Sequence, residues 1–347
     1  MKGTTSILGR DYFIPIIIAG FILIASAVLL YAVAFAPNFH SRETVYVYIS
    51  DDKDFDSLCR QLGDTAECRN ISHFRLVARL LHYPEDMQPG RYAVQPDMGN
   101  YALINLLRSG RQSPIRLTFS TARNVDTLAD RFGKVLLFHP DSLKALLADS
   151  ACCRSLGFTP ETVKALFIPN TYEIFWNTSP KAFLSRMKRE YETFWNAARR
   201  ARADSLRLTP LEVATLASIV EEESNCLDEY PLIAGLYLNR LRRNIPLQAD
   251  PTVRYAVGDF TLRRILHSHL HTPSPYNTYL HTGLPPAPLH IPSPQAIDSV
   301  LHATCHHYLY MVARPDFSGR HIFTATLAEH SRAAARYRSA LNRKRIR

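Results

Sequence analysis

The chain has 347 residues, of which 46% are hydrophobic and 21% charged, as expected for a folded protein with room for two modest domains. Its formal net charge of +10 favours an anionic partner, such as nucleic acid, anionic lipid or an acidic polymer. The sequence contains neither a Gly-rich phosphate loop nor an RNP-like segment, so we do not expect it to bind nucleic acid.

Near the N-terminus, residues 12–36 form an uncharged, apolar run that is long enough to cross about 30 Å of hydrocarbon. Lys2 and Arg10 precede the run, and the positive-inside rule therefore places residues 1–11 in the cytoplasm. The alternative is a cleaved signal peptide, because two A-x-A patterns occur between residues 32 and 36. The run is longer than a signal h-region, and Pro37 disfavours the second cleavage site. We therefore predict a retained single-pass anchor in the cell inner membrane, with the remainder in the periplasm.

The segment 44–119 alternates strand and helix patterns. Strands are predicted at 45–49 and 90–94, and they flank two amphipathic helices at 54–62 and 73–82. A further helix at 98–107 and a strand at 115–119 follow. The strand–helix–helix–strand order is similar to that of a small LysM-like module, a fold that implies contact with glycan containing N-acetylglucosamine. A purely structural spacer is the alternative.

Residues 120–347 are predicted to form a second, larger α+β domain. Helices are expected at 124–132, 141–148, 179–202, from 209 through the glutamates near 221, at 229–239 and at 327–341. Strands are expected at 306–313 and 321–323. Residues 248–251 and the proline-rich stretch up to Pro294 are expected to form extended loops. The fold class is therefore α+β, with an anchor, a small module and a larger domain.

One helix of this domain carries consecutive glutamates. Thr209, Pro210 and Glu212 form a helix start of the capping-box type. At about 100° per residue, Glu221 falls on the apolar face, Glu222 points to solvent and Glu223 lies at the border. An apolar wall desolvates a carboxylate and raises its pKa, as a general acid requires. We therefore expect Glu221 to have a raised pKa.

Several downstream motifs strengthen this interpretation. They are Asn239-Arg240-Leu241, the segment from Leu247 to Tyr255 (LQADPTVRY), the segment from Thr272 to Tyr279 (TPSPYNTY) and the segment from Thr282 to Pro286 (TGLPP). Together with the acidic helix, they resemble the MltG-type (YceG-like) endolytic murein transglycosylases, which are membrane-anchored and cut nascent peptidoglycan strands. The resemblance covers most of the chain after the first forty residues and is densest between Leu216 and Pro286.

The resemblance implies a set of site residues and a reaction. Glu221 corresponds to the catalytic acid/base, and Glu223 to a supporting acid whose alternative role is a salt bridge to Arg240 or Arg242. The substrate-binding candidates, each with loop structuring as the alternative, are Gln248, Asp250, Tyr276, Asn277 and Tyr279. The reaction would cleave the MurNAc–GlcNAc bond and leave 1,6-anhydro-MurNAc ends, with no metal and no organic cofactor. Glycan strands, and peptidoglycan synthases at the membrane, are the expected partners.

The cysteines and histidines do not suggest a metal site. The spacing of the six cysteines matches no zinc motif, and Cys59 and Cys68 are close enough in sequence to pair or to remain free. A functional metal site at the alternating His267, His269 and His271 is not expected.

Two other functions fit the same residues. A hydrolase of the same glycan would use Asp250 as a second carboxylate and would produce reducing ends. A non-enzymatic glycan-binding scaffold would use the acidic helix as a partner surface, and loss of the Glu221 carboxylate would leave it intact.

Overall fold

The computed structural model describes residues 10–262 and 264–344, with side chains from residue 14 onward. The predicted cytoplasmic segment, residues 1–11, therefore lies almost entirely outside the described residues. The first element, α1 (Arg10–Phe35), contains the apolar stretch Ile14–Phe35, in which an 18-residue window has a mean hydropathy of 2.8 and no buried residues. By length and composition this helix can cross a membrane.

The chain divides into two compact units. The first comprises the described residues up to Arg116 together with Glu173–Thr178, and the second comprises Leu117–Tyr172 and Ser179 onward. Each unit combines helices with two-stranded sheets, so the α+β prediction agrees with the observed architecture.

The first unit contains the strand–helix–helix–strand order that the sequence predicts. Its elements are β1 (Pro37–Phe39), β2 (Val45–Ile49), α2 (Phe55–Thr65), α3 (Ile71–Leu80), β3 (Gly90–Val94), β4 (Met98–Gly99) and α4 (Asn100–Arg108). Strand β2 pairs antiparallel with β3, from Val45 opposite Val94 to Ile49 opposite Gly90. That this unit is a LysM module that contacts glycan stays a prediction.

Aromatic side chains fill the core of the first unit, and a polar network fastens it to α1. The largest fully buried members are Phe39, Phe74, Tyr83 and Tyr92. Nearby, the Asn38 amide donates to the Asn100 side chain at 2.8 Å, and the Asn100 amide donates to the Val33 carbonyl of α1 at 2.8 Å. Buried amides need such partners, so this network fixes the end of α1 against the unit.

The second unit is mainly helical. Its elements up to the acidic helix are β5 (Ile115–Phe119), α5 (Val125–Gly133), α6 (Pro140–Ala148), α7 (Ser150–Leu156), β6 (Asn170–Ile174), α8 (Pro180–Phe194), α9 (Ala197–Leu206) and α10 (Pro210–Glu223). It continues with α11 (Tyr230–Arg242), α12 (Asp250–Val257), α13 (Pro294–Leu301), β7 (Tyr310–Ala313), β8 (His321–Thr324) and α14 (Leu327–Arg343). Strands β5 and β6 pair, as do β7 and β8, and the domain boundary falls within both β5 and β6.

Three differences between the predicted and the observed elements concern helices of the second unit. The single helix over 179–202 is two helices, because Trp195 leaves the helical conformation and Asn196 caps α9 by accepting from the Arg199 N–H. The segment after Gln248 is helical, with Pro251 in its first turn and Gly258 as its left-handed C-cap. Helices α7 and α13 were not predicted from the sequence.

Helix α10 lies at the centre of the second unit. Thr209 caps it, and Glu212 completes the predicted capping box. All residues from Val213 to Val220 are buried, including Thr215 and Ser218. The predicted solvent face is therefore absent, and the terminal glutamates emerge from a helix enclosed by other elements.

Candidate active site

Glu221 lies against the proline-rich loop that precedes α13. Its Oε2 accepts hydrogen bonds from His290 Nε2 at 2.9 Å and from the Ser293 backbone N–H at 3.0 Å. Burial raises the pKa of Glu221, but these hydrogen bonds outweigh the burial, and the net pKa lies below its ordinary value. The expectation of a raised pKa at Glu221 is therefore wrong, because the helix face that appears apolar in sequence meets two hydrogen-bond donors.

Glu222 is not a solvated side chain either. Its side chain is 18% exposed and lies 3.4 Å from Arg123 Nη2 and 3.7 Å from Arg254 Nη1. His290 Nδ1 lies 3.7 Å from the same carboxylate. Glu221 and Glu222 thus join α10 to the surrounding loops through a network of charged groups.

Glu223 has a different environment. It lines a groove of about 280 Å³ in the second unit, and its Oε1 accepts a 2.5 Å hydrogen bond from the Tyr237 hydroxyl of α11. Burial raises the pKa of Glu223 to about 7, and the Tyr237 hydrogen bond only partly opposes this shift. The hydrogen-bond partner of Glu223 is therefore Tyr237. The salt bridge to Arg240 or Arg242, the alternative given for Glu223 from the sequence, is not formed in the described part of the chain. Glu223 therefore has the perturbed carboxyl group expected of a general acid.

Three predicted substrate-binding residues line the same groove: Gln248, Asp250 and Tyr279. The Tyr279 hydroxyl donates to Asp250 Oδ1 at 2.7 Å, and burial raises the pKa of Tyr279. Gln248 has a left-handed backbone conformation, with φ 52°, and its side-chain oxygen accepts from Arg240 Nη2 at 2.5 Å. Polar groups on two loops are thus held in place beside Glu223.

The other two predicted binding residues, Asn277 and Tyr276, stabilise the conformation of their own loop. Asn277 is fully buried, its amide donates to the carbonyls of Leu270 and Thr272, and its oxygen accepts from the Tyr279 N–H. Tyr276 packs on Tyr255 with ring centroids 4.5 Å apart, and burial raises its pKa to about 12. This geometry favours the loop-structuring alternative for both residues.

Residues that the sequence analysis did not single out complete the groove. Besides Tyr237 and Arg240 of α11, strand β7 contributes Tyr310, strand β8 contributes His321 and helix α14 contributes His330. Arg240 was part of a quoted motif, but no sequence spacing connects Tyr237 or His321 with Glu223. Only the packing of α10, α11 and the β7–β8 hairpin brings them together.

A buried carboxylate orients His321. Glu229 is 3% exposed and accepts from the His321 N–H and Nδ1, each at 2.9 Å, and from the Ser224 hydroxyl at 3.1 Å. Burial raises the pKa of Glu229, but the bonds from His321 and Ser224 outweigh it and leave the pKa lowered. These bonds fix the orientation of His321, which borders the groove, and leave its other ring nitrogen, Nε2, free of hydrogen bonds among the described residues.

Ala287 follows the Leu-Pro-Pro segment of the proline-rich loop, and a positive φ there would be strained. Ala287 is fully buried and is not among the residues with positive φ, whereas Gly283 has φ 88°. The loop therefore accommodates Ala287 without that strain.

Fold and groove together define an α+β protein of two units, with a carboxyl group of raised pKa, Glu223, in a polar groove of the second. Residues 47–336 match the model of the YceG-like family, and the chain belongs to that family.

Known proteins agree with this assignment. The chain is 40% identical over 133 residues to the endolytic murein transglycosylase of Bacillus subtilis (strain 168), an alignment that covers 38% of this chain and 36% of that protein. It is 26% identical over 328 residues to the endolytic murein transglycosylase of Streptococcus pneumoniae serotype 2 (strain D39), covering 86% of this chain and 59% of that protein. The chain thus spans roughly a third to three-fifths of the length of these relatives. A yceG-like protein from Listeria monocytogenes shares the fold, with a TM-score of 0.55, 24% identity, and coverage of 84% of this chain and 99% of that one.

Proposed function

We propose that this protein is an endolytic peptidoglycan lytic transglycosylase that cleaves the MurNAc–GlcNAc bond of glycan strands. The observation that carries the proposal is Glu223, a carboxyl group with a pKa of about 7 in a groove lined by polar side chains. The family membership and the names of its relatives support the same substrate class.

Glu223 would act first as an acid. A carboxyl group with a pKa near 7 is substantially protonated at neutral pH and can give its proton to the glycosidic oxygen as the bond to C1 breaks. The Tyr237 hydroxyl then stabilises the carboxylate that remains, because a hydrogen bond to an ionised oxygen favours the charged form.

The same carboxylate would next act as a base. It accepts the proton of the MurNAc C6 hydroxyl while that oxygen bonds to C1, and this closure gives the 1,6-anhydro end. The proton delivered in the first step is recovered in the second, so no water is consumed and the reaction is that of a lyase. One carboxyl group is sufficient for both steps.

The groove residues would bind the sugars. Gln248 and the Asp250–Tyr279 pair present amide, carboxylate and hydroxyl groups suited to sugar hydroxyls and the N-acetyl group. His321, oriented by Glu229, adds a ring nitrogen on the far strand. No metal or organic cofactor is part of this proposal.

We assign Glu221 a positioning role in place of the catalytic role predicted from the sequence. Burial raises the pKa of Glu221, but the hydrogen bonds from His290 and Ser293 bring it below its ordinary value and favour the ionised form. Its bonds to His290 and Ser293 hold the proline-rich loop on α10, the helix that ends at Glu223.

A hydrolase remains the second candidate, because Asp250 lines the same groove as Glu223. Asp250 would then activate water, and the products would carry reducing ends. The two reactions differ by one water in product mass, which makes them separable in one measurement.

For cellular placement, we propose that α1 anchors the protein in the inner membrane, with the N-terminus in the cytoplasm and both units in the periplasm. Its substrate would then be nascent strands close to the membrane, and its protein partners peptidoglycan synthases.

The test is mass spectrometry of isolated peptidoglycan digested by the full chain, with wild type beside Glu223→Gln and Glu221→Gln. We expect anhydro-muramyl products from wild type, a loss of at least about 100-fold in Glu223→Gln and a smaller loss in Glu221→Gln. Glu192→Gln, which changes an exposed glutamate of α8, is the matched control.

Each other outcome would count against a stated part of the proposal. Products heavier by one water, lost equally in Asp250→Ala, would establish the hydrolase. A greater loss in Glu221→Gln than in Glu223→Gln would return the catalytic role to Glu221. Absence of products from the wild type would favour the glycan-binding scaffold.

A further inference from the structure

The outer end of α1 is packed against the first unit and flanked by two grooves. One groove, of about 380 Å³, is apolar and lies between Ala27, Leu30 and Tyr31 of α1 and Leu80, Leu81 and Tyr101 of the unit. The other, of about 400 Å³, has a polar wall, since Arg69, Asn70 and His73 lie there opposite Ala36 and Pro37.

Both grooves place α3 alongside the outer part of α1. The start of α3 lies beside the end of α1, where the Asn38 amide donates to the Asn70 carbonyl at 3.0 Å. The end of α3 borders the apolar groove at Leu80, and the α1 wall of this groove runs from Ala27 to Phe35. Ala27 and Phe35 are eight residues apart, or about 12 Å along a helix. The apolar end of α3 therefore shares a groove with the outer part of the apolar stretch of α1.

This shared groove brings part of the first unit to the level of the membrane. The apolar stretch Ile14–Phe35 contains 22 residues, or about 33 Å of helix, only slightly more than the hydrocarbon thickness of about 30 Å. If α1 spans the bilayer, residues beside Ala27 and Leu30 lie within its outer half.

The surface found at this level is apolar. Leu76 and Leu80 are one helical turn apart on α3 and are 47% and 54% exposed, and Tyr101 of α4 is 38% exposed. Tyrosine at a lipid boundary can keep its hydroxyl in the headgroup layer while its ring meets hydrocarbon. An exposed patch of this kind is unfavourable in water and favourable in a leaflet.

Charged neighbours limit the depth. Arg79, His82 and Glu85 are exposed at the same end of α3. The long arginine side chain can reach the headgroup phosphates from below, whereas Glu85 has to remain in the headgroup layer or in water. The patch is therefore suited to the boundary between acyl chains and headgroups, and not to the bilayer centre.

We propose that the first unit is seated in the outer leaflet of the membrane that α1 spans, with Leu76, Leu80 and Tyr101 in contact with lipid and a phospholipid acyl chain in the apolar groove. This inference rests on the proposed membrane anchoring and is independent of the role of Glu223. In this arrangement, the first unit is held at a fixed depth against the membrane and does not move freely on a flexible linker.

The test is spin-label depth measurement on the full chain in vesicles of phosphatidylethanolamine and phosphatidylglycerol. Nitroxides are placed at Leu80→Cys, at Tyr46→Cys on β2 as the exposed control in the same unit, and at Leu23→Cys as the reporter of α1 itself. The background replaces by serine the cysteines that are not buried, which are Cys68, Cys152, Cys226 and Cys305.

Collision with molecular oxygen reports lipid, and collision with a water-soluble nickel chelate reports solvent. We expect the oxygen-to-nickel ratio at position 80 to exceed that at position 46 by about threefold or more, because interfacial burial excludes the chelate. Equal ratios at positions 80 and 46, with position 23 in lipid, would overturn the docking and leave the anchor intact. A water-exposed label at position 23 would overturn both.

Discussion

At the scale of single residues, the proposed chemistry depends on the pairing of Glu223 with Tyr237. Burial favours the protonated carboxyl, and the tyrosine hydroxyl favours the ionised form. The resulting pKa of about 7 allows one group to give a proton and take one back under the same conditions. Glu221, two residues earlier, has a lowered pKa because its hydrogen-bond donors outweigh its burial.

The pH dependence of the reaction follows from this balance. Because the acid must carry a proton, activity should fall as pH rises through about 7. Tyr237→Phe removes a bond that lowers the pKa of Glu223, so this descending limb should move to higher pH by about one unit. Initial rates on isolated peptidoglycan across pH 5–9, roughly the range in which Glu223 titrates, measure it.

The control for this experiment is Tyr310→Phe, which removes a hydroxyl from the same groove but no recorded bond to Glu223. Its descending limb should stay in place. A limb that moves equally in both variants, or to lower pH in Tyr237→Phe, would contradict the assignment of Glu223 as the titrating acid.

At the scale of elements, α10 is a buried helix whose last residue carries the proposed chemistry. Its start is fixed by the capping box of Thr209 and Glu212, with the Glu212 N–H donating to the Thr209 hydroxyl at 3.2 Å and the Thr209 N–H donating to the Glu212 carboxylate at 2.7 Å. Its end is held by the loop bonds of Glu221. Hydrogen bonds thus hold both ends of the helix that carries Glu223.

Loss of the cap should destabilise the fold without removing the acid. Thr209→Ala leaves a backbone donor of α10 without its partner and should lower the free energy of unfolding by about 1 kcal/mol. Chemical denaturation monitored by circular dichroism measures this change. Ser205→Ala, at an exposed hydroxyl of α9, should change it far less. A cap variant as stable as wild type would show that packing alone fixes the start of α10.

Element prediction succeeded where local signals were strong. Strands β2, β3 and β5 have their predicted bounds, because β-branched and aromatic residues alternate between turns. The prediction of one long helix over 179–202 was wrong, because the apolar periodicity continues past the break at Trp195 and Asn196, where Asn196 caps a second helix. Helix α12 was missed because Pro251 suggests a loop, although proline is also favoured in the first turn of a helix.

At the scale of the whole molecule, the net charge of +10 is the dominant long-range property. Peptidoglycan carries peptide-stem carboxylates, so a positive protein should be attracted to it before any specific contact forms. That attraction between exposed charges is screened by salt.

Binding to insoluble peptidoglycan should therefore weaken with ionic strength. We expect the fraction of the full-chain Glu223→Gln variant that sediments with isolated peptidoglycan to fall between about 0.05 M and 0.5 M salt, where the screening length shortens several-fold. Retention that does not change with salt would mean that uncharged groove contacts dominate. An uncharged glycan, such as chitin, is the control and should show a weaker dependence.

The sequence alone determined the apolar length of α1, the capping box at Thr209, strands β2 and β3 of the first unit and the family, because each depends on local pattern or on motifs that are contiguous in the chain. Only the tertiary structure gave Glu221 and Glu223 different environments. These two glutamates, two positions apart on one helix, have pKa values shifted in opposite directions because their burial and their hydrogen-bond donors differ. The donors come from elsewhere in the chain: Tyr237 is fourteen positions from Glu223, and His290 is sixty-nine from Glu221. Desolvation and hydrogen bonding act through space. A helical sequence pattern shows only which side of the helix faces inward, and not which groups contact that side.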